Sequence, residues 1–256
     1  FELAGAADCD EKGLKYFALN HDCTTVCLDF DNVCQARKKI EKELKVKLFG
    51  EWEEGERAQA VAQFSEVLKV LEESDGTPVA LSVEAEPCSS SSDSFAAAAW
   101  VQEIASDRLG LCLDCCHSAV EFEDVVAALA ACLGAGLGKV QFSSALRLES
   151  PSTNPEGVAA LLALDEARFL HQVIASGAGL RASDIPELAS GLSAGDWLGQ
   201  EEWRCHFHVP VDLDQFAGLG TTSFHAAAFR TANRRIHFRS SSKFSETAIT
   251  LLTMVV

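Results

Sequence analysis

Between Val79 and Phe142 short apolar runs alternate with stretches of helical spacing, and this alternation constrains the fold more than any other feature of the sequence. Val79–Val83, Leu109–Leu113 and Gly138–Phe142 are nearly continuous in apolar character, as strands covered on both faces must be. Asp93 stands where an N-cap belongs and opens a helical stretch through Ile104; Glu123–Leu133 forms a second. Strands separated by helices imply βα units and a parallel sheet, because a parallel neighbour needs a crossover connection. Arg204–Val211 is a fourth strand and Thr24–Phe30 a fifth, weaker one. Pro155–Ile174 reads as one or two helices and Ala182–Leu192 holds a short one.

An eight-stranded (β/α)8 barrel takes about 250 residues, and this chain of 256 offers four clear strands and a weak fifth. Either the first 75 or so residues hold further strands or the chain is part of a barrel with divergent ends. Lys38–Glu73 reads as helix, with Val61, Phe64, Val67, Leu68 and Leu71 at spacings of three and four, and Asp75–Pro78 stops it. Three regions follow: residues 1–77, divergent and largely helical; 78–222, the recognisable α/β part; and 223–256, a tail of different composition. Residues 225–256 hold five basic side chains against one acid, whereas the preceding 224 hold 16 basic and 37 acidic ones. That tail is expected to be poorly ordered or loosely docked.

At 48% hydrophobic and 23% charged the chain has the inventory for a packed core, which excludes disorder. Its longest apolar runs, Phe95–Val101 and Val125–Leu133, are far short of the roughly 18 to 20 residues that span a bilayer. A net charge of −17 opposes a nucleic-acid backbone or an anionic membrane as partner. The chain opens on Phe1 and its only methionine is Met254, so it reads as incomplete or processed. Several of the ten cysteines sit inside apolar runs, Cys112 and Cys132 among them, as reduced thiols packed like small hydrophobes do. The compartment expected is a reducing one, the cytoplasm or an organelle lumen.

Polar groups gather at the C-terminal ends of the strands: Glu84 and Glu86 after the first, Asp114 and His117 after the second, Gln141 at the third, His206 and His208 within the fourth. In parallel α/β architectures that edge is where ligands bind. Both close pairs are separated by two residues, so the strand period places each pair on one face. Each pair alone is compatible with a solvated strand end. Taken together, carboxylates and imidazoles converging from separate strands suit a divalent metal or an anionic sugar.

Other motifs carry less. Cys27-Leu-Asp-Phe-Asp31 has the start of a haloacid-dehalogenase phosphatase loop, but Val33 stands where that loop has Thr. Gly134–Lys139 follows a helix and leads into a strand, so it is a helix end and turn and not a phosphate loop. Cys23, Cys27 and Cys34 lack partners at zinc-site spacing, and Cys115 and Cys116 read as packed. His171 reads as a core or surface histidine; His21, His225 and His237 have no strand-end context. The four tryptophans read as packing residues.

Gly110-Leu-Cys-Leu-Asp-Cys-Cys-His117 resembles the strand-end motif of the xylose-isomerase-like TIM barrels, a superfamily of sugar phosphate isomerases and epimerases and of endonuclease IV-like enzymes. Asp114–Asp124, Gly138–Leu146, Phe169–Val173 and His206–Pro210, in that order, are similar to the EboE family of metabolite traffic proteins, over about Pro78 to Thr222. The resemblance implies a xylose-isomerase-like TIM barrel, incomplete or with divergent ends. It implies a divalent metal (Zn, Mn, Fe or Co) held by Glu84, Asp114, His117 and His208, with Gln141 where many members place a ligand His. Glu86 and His206, beside those positions, become candidates for proton relay or substrate contact. A final strand ending in Glu is not found beyond Gly220. The implied activity is metal-dependent isomerisation or epimerisation of a sugar-like or other small metabolite. The alternatives are a metabolite carrier or assembly partner using the same pocket, and a degenerate fragment. A small-molecule metabolite and proteins of an export pathway are the implied partners; nucleic acid and membrane insertion are not.

Overall fold

In a computed structural model the described residues are 25–28, 61–62, 65, 68, 80–89, 91–166, 169–177, 179–193, 196–235 and 252–254. Along the chain they form β1 (Thr25–Leu28), β2 (Ala80–Glu84), α1 (Ser94–Ile104), β3 (Leu109–Asp114), α2 (Cys115–Val120) and α3 (Val125–Ala135). There follow β4 (Leu137–Phe142), β5 (Ser144–Glu149), α4 (Pro155–Leu162), β6 (Val173–Ala175), β7 (Arg181–Ala182) and α5 (Ile185–Gly191). The last elements are β8 (Glu202–Val209), β9 (Gln215–Phe216), β10 (Leu219–Thr221), α6 (Ser223–Arg235) and β11 (Leu252–Met254). Two compact units divide them: the first takes residues up to Leu113 with Ala130–Val140, the second Asp114–Leu129 with the described part of Gln141–Phe238.

The first unit follows the sequence closely. β1 pairs with β2 and β2 with β3, both parallel, with Val83 opposite Leu111 and Glu84 opposite Cys112. All six residues of β3 are buried, so an uninterrupted apolar run is what its surroundings demand. Asp93 caps α1 by accepting a hydrogen bond from the Ala96 N–H at 2.7 Å. At the end of α3 the turn into β4 passes through Gly136 at φ 97°, a conformation that side chains resist, so the glycine-rich segment is a helix stop and turn. The Lys38–Glu73 helix is described only at Val61, Ala62, Ser65 and Leu68, which are helical; the rest of it, Asp75–Pro78, Asp31, Val33, Cys23, Cys34, His21, His237 and Trp52 lie outside the described residues.

The second unit departs from the expectation of a parallel sheet. Its six strands run in the order β7-β6-β8-β5-β10-β9 and every pair is antiparallel. Only Ser143 separates β4 from β5, which leaves no room for a crossover helix. β8, expected as a fourth parallel strand, lies between β5 and β6 and runs against both. No closed barrel is seen among the described residues, which are α/β with parallel pairing along β1, β2 and β3 and a six-stranded antiparallel sheet. Val173 and Ile174, expected in a helix, are strand, since Val173 faces Cys205 across the ladder and its side chain is fully buried.

The core of this unit joins Leu146, Leu161, Ile185, Leu188, Trp197 and Trp203. The two indoles meet edge to face at 5.6 Å, and Trp203 Nε1–H donates to Trp197 O at 2.9 Å, so the buried Trp203 ring has its polar edge satisfied. Over Ser223–Arg235 the expectation of a loosely docked segment after Thr222 is corrected by α6. Ala226, Phe229 and Ala232, at helical spacing, are 2%, 1% and 8% exposed, and the helix packs on α2 and β5. Its mixed composition is that of an amphipathic helix, whose charged face hides the apolar one from a reading by charge alone. Among the described residues no helix is long and apolar enough to cross a membrane, and Cys205 is a free thiol.

Candidate metal centre

Asp114 ends β3 and caps α2. Its Oδ1 accepts hydrogen bonds from the Cys116 N–H at 2.6 Å and the His117 N–H at 3.0 Å, which fixes the first turn of the helix. All six residues of α2 are buried, and the helix packs on β5 and β8. Arg204 ties β8 to the far end of α2: one guanidinium N–H donates to Ala119 O and another to Glu202 Oε1, both at 2.6 Å, with the cation 3.9 Å over the Phe122 ring. His117 on α2 is thereby held against His206 and His208 on β8.

The three imidazoles meet at their Nε2 atoms. His117 Nε2 lies 2.9 Å from His206 Nε2, which lies 3.0 Å from His208 Nε2. His206 Nδ1 is 2.6 Å from Gln172 Oε1, an acceptor only, so Nδ1 carries the proton and Nε2 presents a lone pair. His208 Nδ1 is 2.8 Å from Ser143 Oγ, a hydroxyl that can donate or accept, and 3.9 Å from Asp114 Oδ2. At 2.9 and 3.0 Å each Nε2 pair stands at hydrogen-bond distance, so one imidazole donates to its neighbour unless a cation replaces the shared proton. Nitrogens on one tetrahedral ion, at about 2.0 to 2.1 Å each, stand about 3.3 Å apart, so the cluster needs only a slight opening to hold one.

A carboxylate completes the donor set. Asp114, His117 and His208 each offer one atom within 4.8 Å of the others. Asp114 is 3% exposed, and its Oδ2 accepts no hydrogen bond among the described residues. Burial by itself would raise this carboxyl group, but the charges of His117 and His208, the His117 N–H and the charge of His206 together hold it below the usual carboxylate value. It is an anion poised toward imidazoles, as a ligand of a divalent cation is.

Of the residues marked by the sequence, Asp114, His117, His206 and His208 come together. Gln141 is buried at the end of β4. Glu84 and Glu86 belong to the first unit, where both are buried and the Glu86 N–H donates to Ser91 O at 3.2 Å. His171 stacks on Phe207 with centroids 4.0 Å apart, and its Nδ1 lies 3.1 Å from His206 O. Burial, then the charge of His206, lowers its basicity, which suits a packed histidine behind the strand. Ser143 and Gln172, which orient His208 and His206, were not marked by the sequence reading. The signal available for Gln172 was its place in the Phe169–Val173 motif; Ser143 offered only its position after a strand.

No family model matches the chain, and no curated protein is detectably similar to it. Among solved structures the chain is similar to the apo form of 3-keto-D-glucoside 4-epimerase, YcjR, from E. coli, at 15% identity and a TM-score of 0.36, over 55% of this chain and 65% of that one. It is also similar to the IOLI protein with a binding zinc atom, at 16% identity and a TM-score of 0.36, over 54% of this chain and 58% of that one. The matched part spans less than two thirds of either neighbour.

Proposed function

We propose that the second unit holds a divalent metal on His117, His206, His208 and Asp114, and that the protein is a metal-dependent isomerase or epimerase of a sugar-like or other small metabolite. The observation that carries this reading is the meeting of three imidazole Nε2 atoms at 2.9 and 3.0 Å beside a buried carboxylate. Three nitrogens and one oxygen suit zinc, iron or cobalt better than magnesium or calcium. Such an ion supplies Lewis acidity toward the oxygens of a polyol or ketose, which makes a neighbouring C–H or O–H proton removable.

The chain's own residues prepare the centre. Gln172 holds the His206 tautomer, Ser143 sets the His208 ring, and the two backbone amides on Asp114 Oδ1 leave Oδ2 free to face the ion. His208, the more exposed of the imidazoles, stands on the side from which a substrate would approach. The order of motifs from Asp114 to Pro210 supports reading the chain as a diverged xylose-isomerase-like TIM barrel. It also supports an EboE-like place in metabolite traffic, in a reducing compartment, beside proteins of an export pathway.

Metal content of the purified protein, with His117→Ala and Asp114→Asn beside it, tests the centre, and solvent-deuterium incorporation into a panel of sugars tests the chemistry. About one equivalent of transition metal in the wild type, reduced in both variants, is the expected result. A metal-free wild type less stable than its variants would overturn it in favour of a metabolite binder, because the cluster would then be only an uncompensated polar cost.

A further inference from the structure

We infer that Cys116 is a further ligand of this centre, so that the donor set mixes sulfur with nitrogen; the inference rests on the metal reading above. Cys116, His206 and His208 each place one donor atom within 4.8 Å of the others, and His208 is shared with the Asp114–His117–His208 group. The thiol and the carboxylate thus share His208 as a neighbour, the thiol with His206 and the carboxylate with His117. Cys116 Sγ lies 3.5 Å from Phe207 O, the carbonyl between the two histidines of β8. Its backbone N–H is held by Asp114 Oδ1, so a single carboxylate positions the thiol and turns its other oxygen toward the imidazoles.

Cys205, another buried thiol of this unit, has different surroundings. Cys205 is packed in the apolar cluster with Trp203 and Leu146, and burial raises its thiol far above the ordinary value, as for an inert core cysteine. Cys116 is as fully buried but faces nitrogen donors, and nearby Asp114 Oδ2 is a buried carboxylate oxygen with no hydrogen bond among the described residues. A sulfur ligand beside three nitrogens shifts preference toward zinc, cobalt and iron and away from manganese and magnesium.

Cobalt(II) added to the metal-depleted full chain is the probe. The expected spectrum has ligand-field bands in the visible and a thiolate-to-cobalt charge-transfer band in the near ultraviolet. Cys116→Ser should lose the charge-transfer band, keep the visible bands, and bind cobalt about tenfold or more weakly. Cobalt bound without the charge-transfer band in the wild type would overturn the assignment and leave the imidazole centre standing. A band that survives in Cys116→Ser would overturn it as well. No cobalt bound at all would remove both readings. Should the serine variant fail to fold, X-ray absorption of the zinc-loaded wild type decides: one sulfur at about 2.3 Å supports Cys116, and a shell of nitrogen and oxygen alone overturns it.

Discussion

Gln172 Oε1 lies 2.6 Å from His206 Nδ1, and this contact decides which nitrogen His206 turns toward His117 and His208. Gln172 is 1% exposed and its carbonyl accepts the His206 backbone N–H at 2.8 Å, so the amide is held by the same strand it orients. Replacing it by Leu keeps the volume but removes the acceptor, and leaves His206 free to present either tautomer. Gln172→Leu should weaken metal binding about 10- to 100-fold while His206 itself is untouched. Competition against a chelator of known affinity measures it, and an unchanged affinity would show that Gln172 does not set the tautomer.

Outside the imidazole cluster, another histidine gives stability a pH dependence. His225 on α6 is buried, with Nε2 3.3 Å from Ser118 Oγ; burial and then the Arg204 charge lower its pKa to about 4, against a smaller opposing effect of Asp124. The folded state therefore keeps it neutral, whereas the unfolded chain takes up a proton near pH 6.5. Its contribution is fully present above about pH 6.5 and is lost as pH falls toward about 4, by roughly 3 kcal/mol. Urea unfolding from pH 7 to pH 4 should show this loss, and His225→Gln should flatten it.

What the sequence disclosed divides along physical lines. β3 was legible because all six of its residues are buried and its run is nearly continuous in apolar character; α1 was legible because Asp93 is a capping residue at the right place. β5 was missed because Arg147 and Glu149 pair with each other and Glu202 along its outer face, so Ser144–Glu149 reads as a polar connection. The antiparallel sheet was missed because a strand's own side chains do not encode the direction of its neighbour. His206 and His208 were legible through the strand period, but Gln172 and Ser143 are neutral polar residues whose role exists only once β6, β8 and the β4–β5 junction come together.

The hairpin from β9 to β10 turns on two residues, Ala217 at φ 52° and Gly218 at φ 82°. Two consecutive positive φ values define a tight turn that matches the twist of its strands, and Ala pays for it where Asn or Gly would not. Ala217 is exposed, so a larger polar side chain meets no obstacle. Ala217→Asn should raise the stability of the fold by about 0.5 to 1 kcal/mol, read as a higher urea midpoint at unchanged slope.

The largest single effect is expected from α6, in the segment whose composition pointed to a loose tail. Phe229 is 1% exposed, its ring lies 5.3 Å from that of His225, and the helix packs against α2, which carries His117. Truncating a fully buried aromatic side chain removes its transfer free energy and leaves a cavity, so Phe229→Ala should cost about 3 to 5 kcal/mol. Because α6 supports the helix that bears a proposed ligand, the variant should lose metal and stability together, whereas Asp114→Asn, which keeps the side-chain volume and an Oδ1 acceptor for the α2 amides, should lose metal with a smaller loss of stability. Urea unfolding and metal content measured on the same preparations separate the two. If Phe229→Ala left the midpoint unchanged, α6 would be dispensable to the second unit.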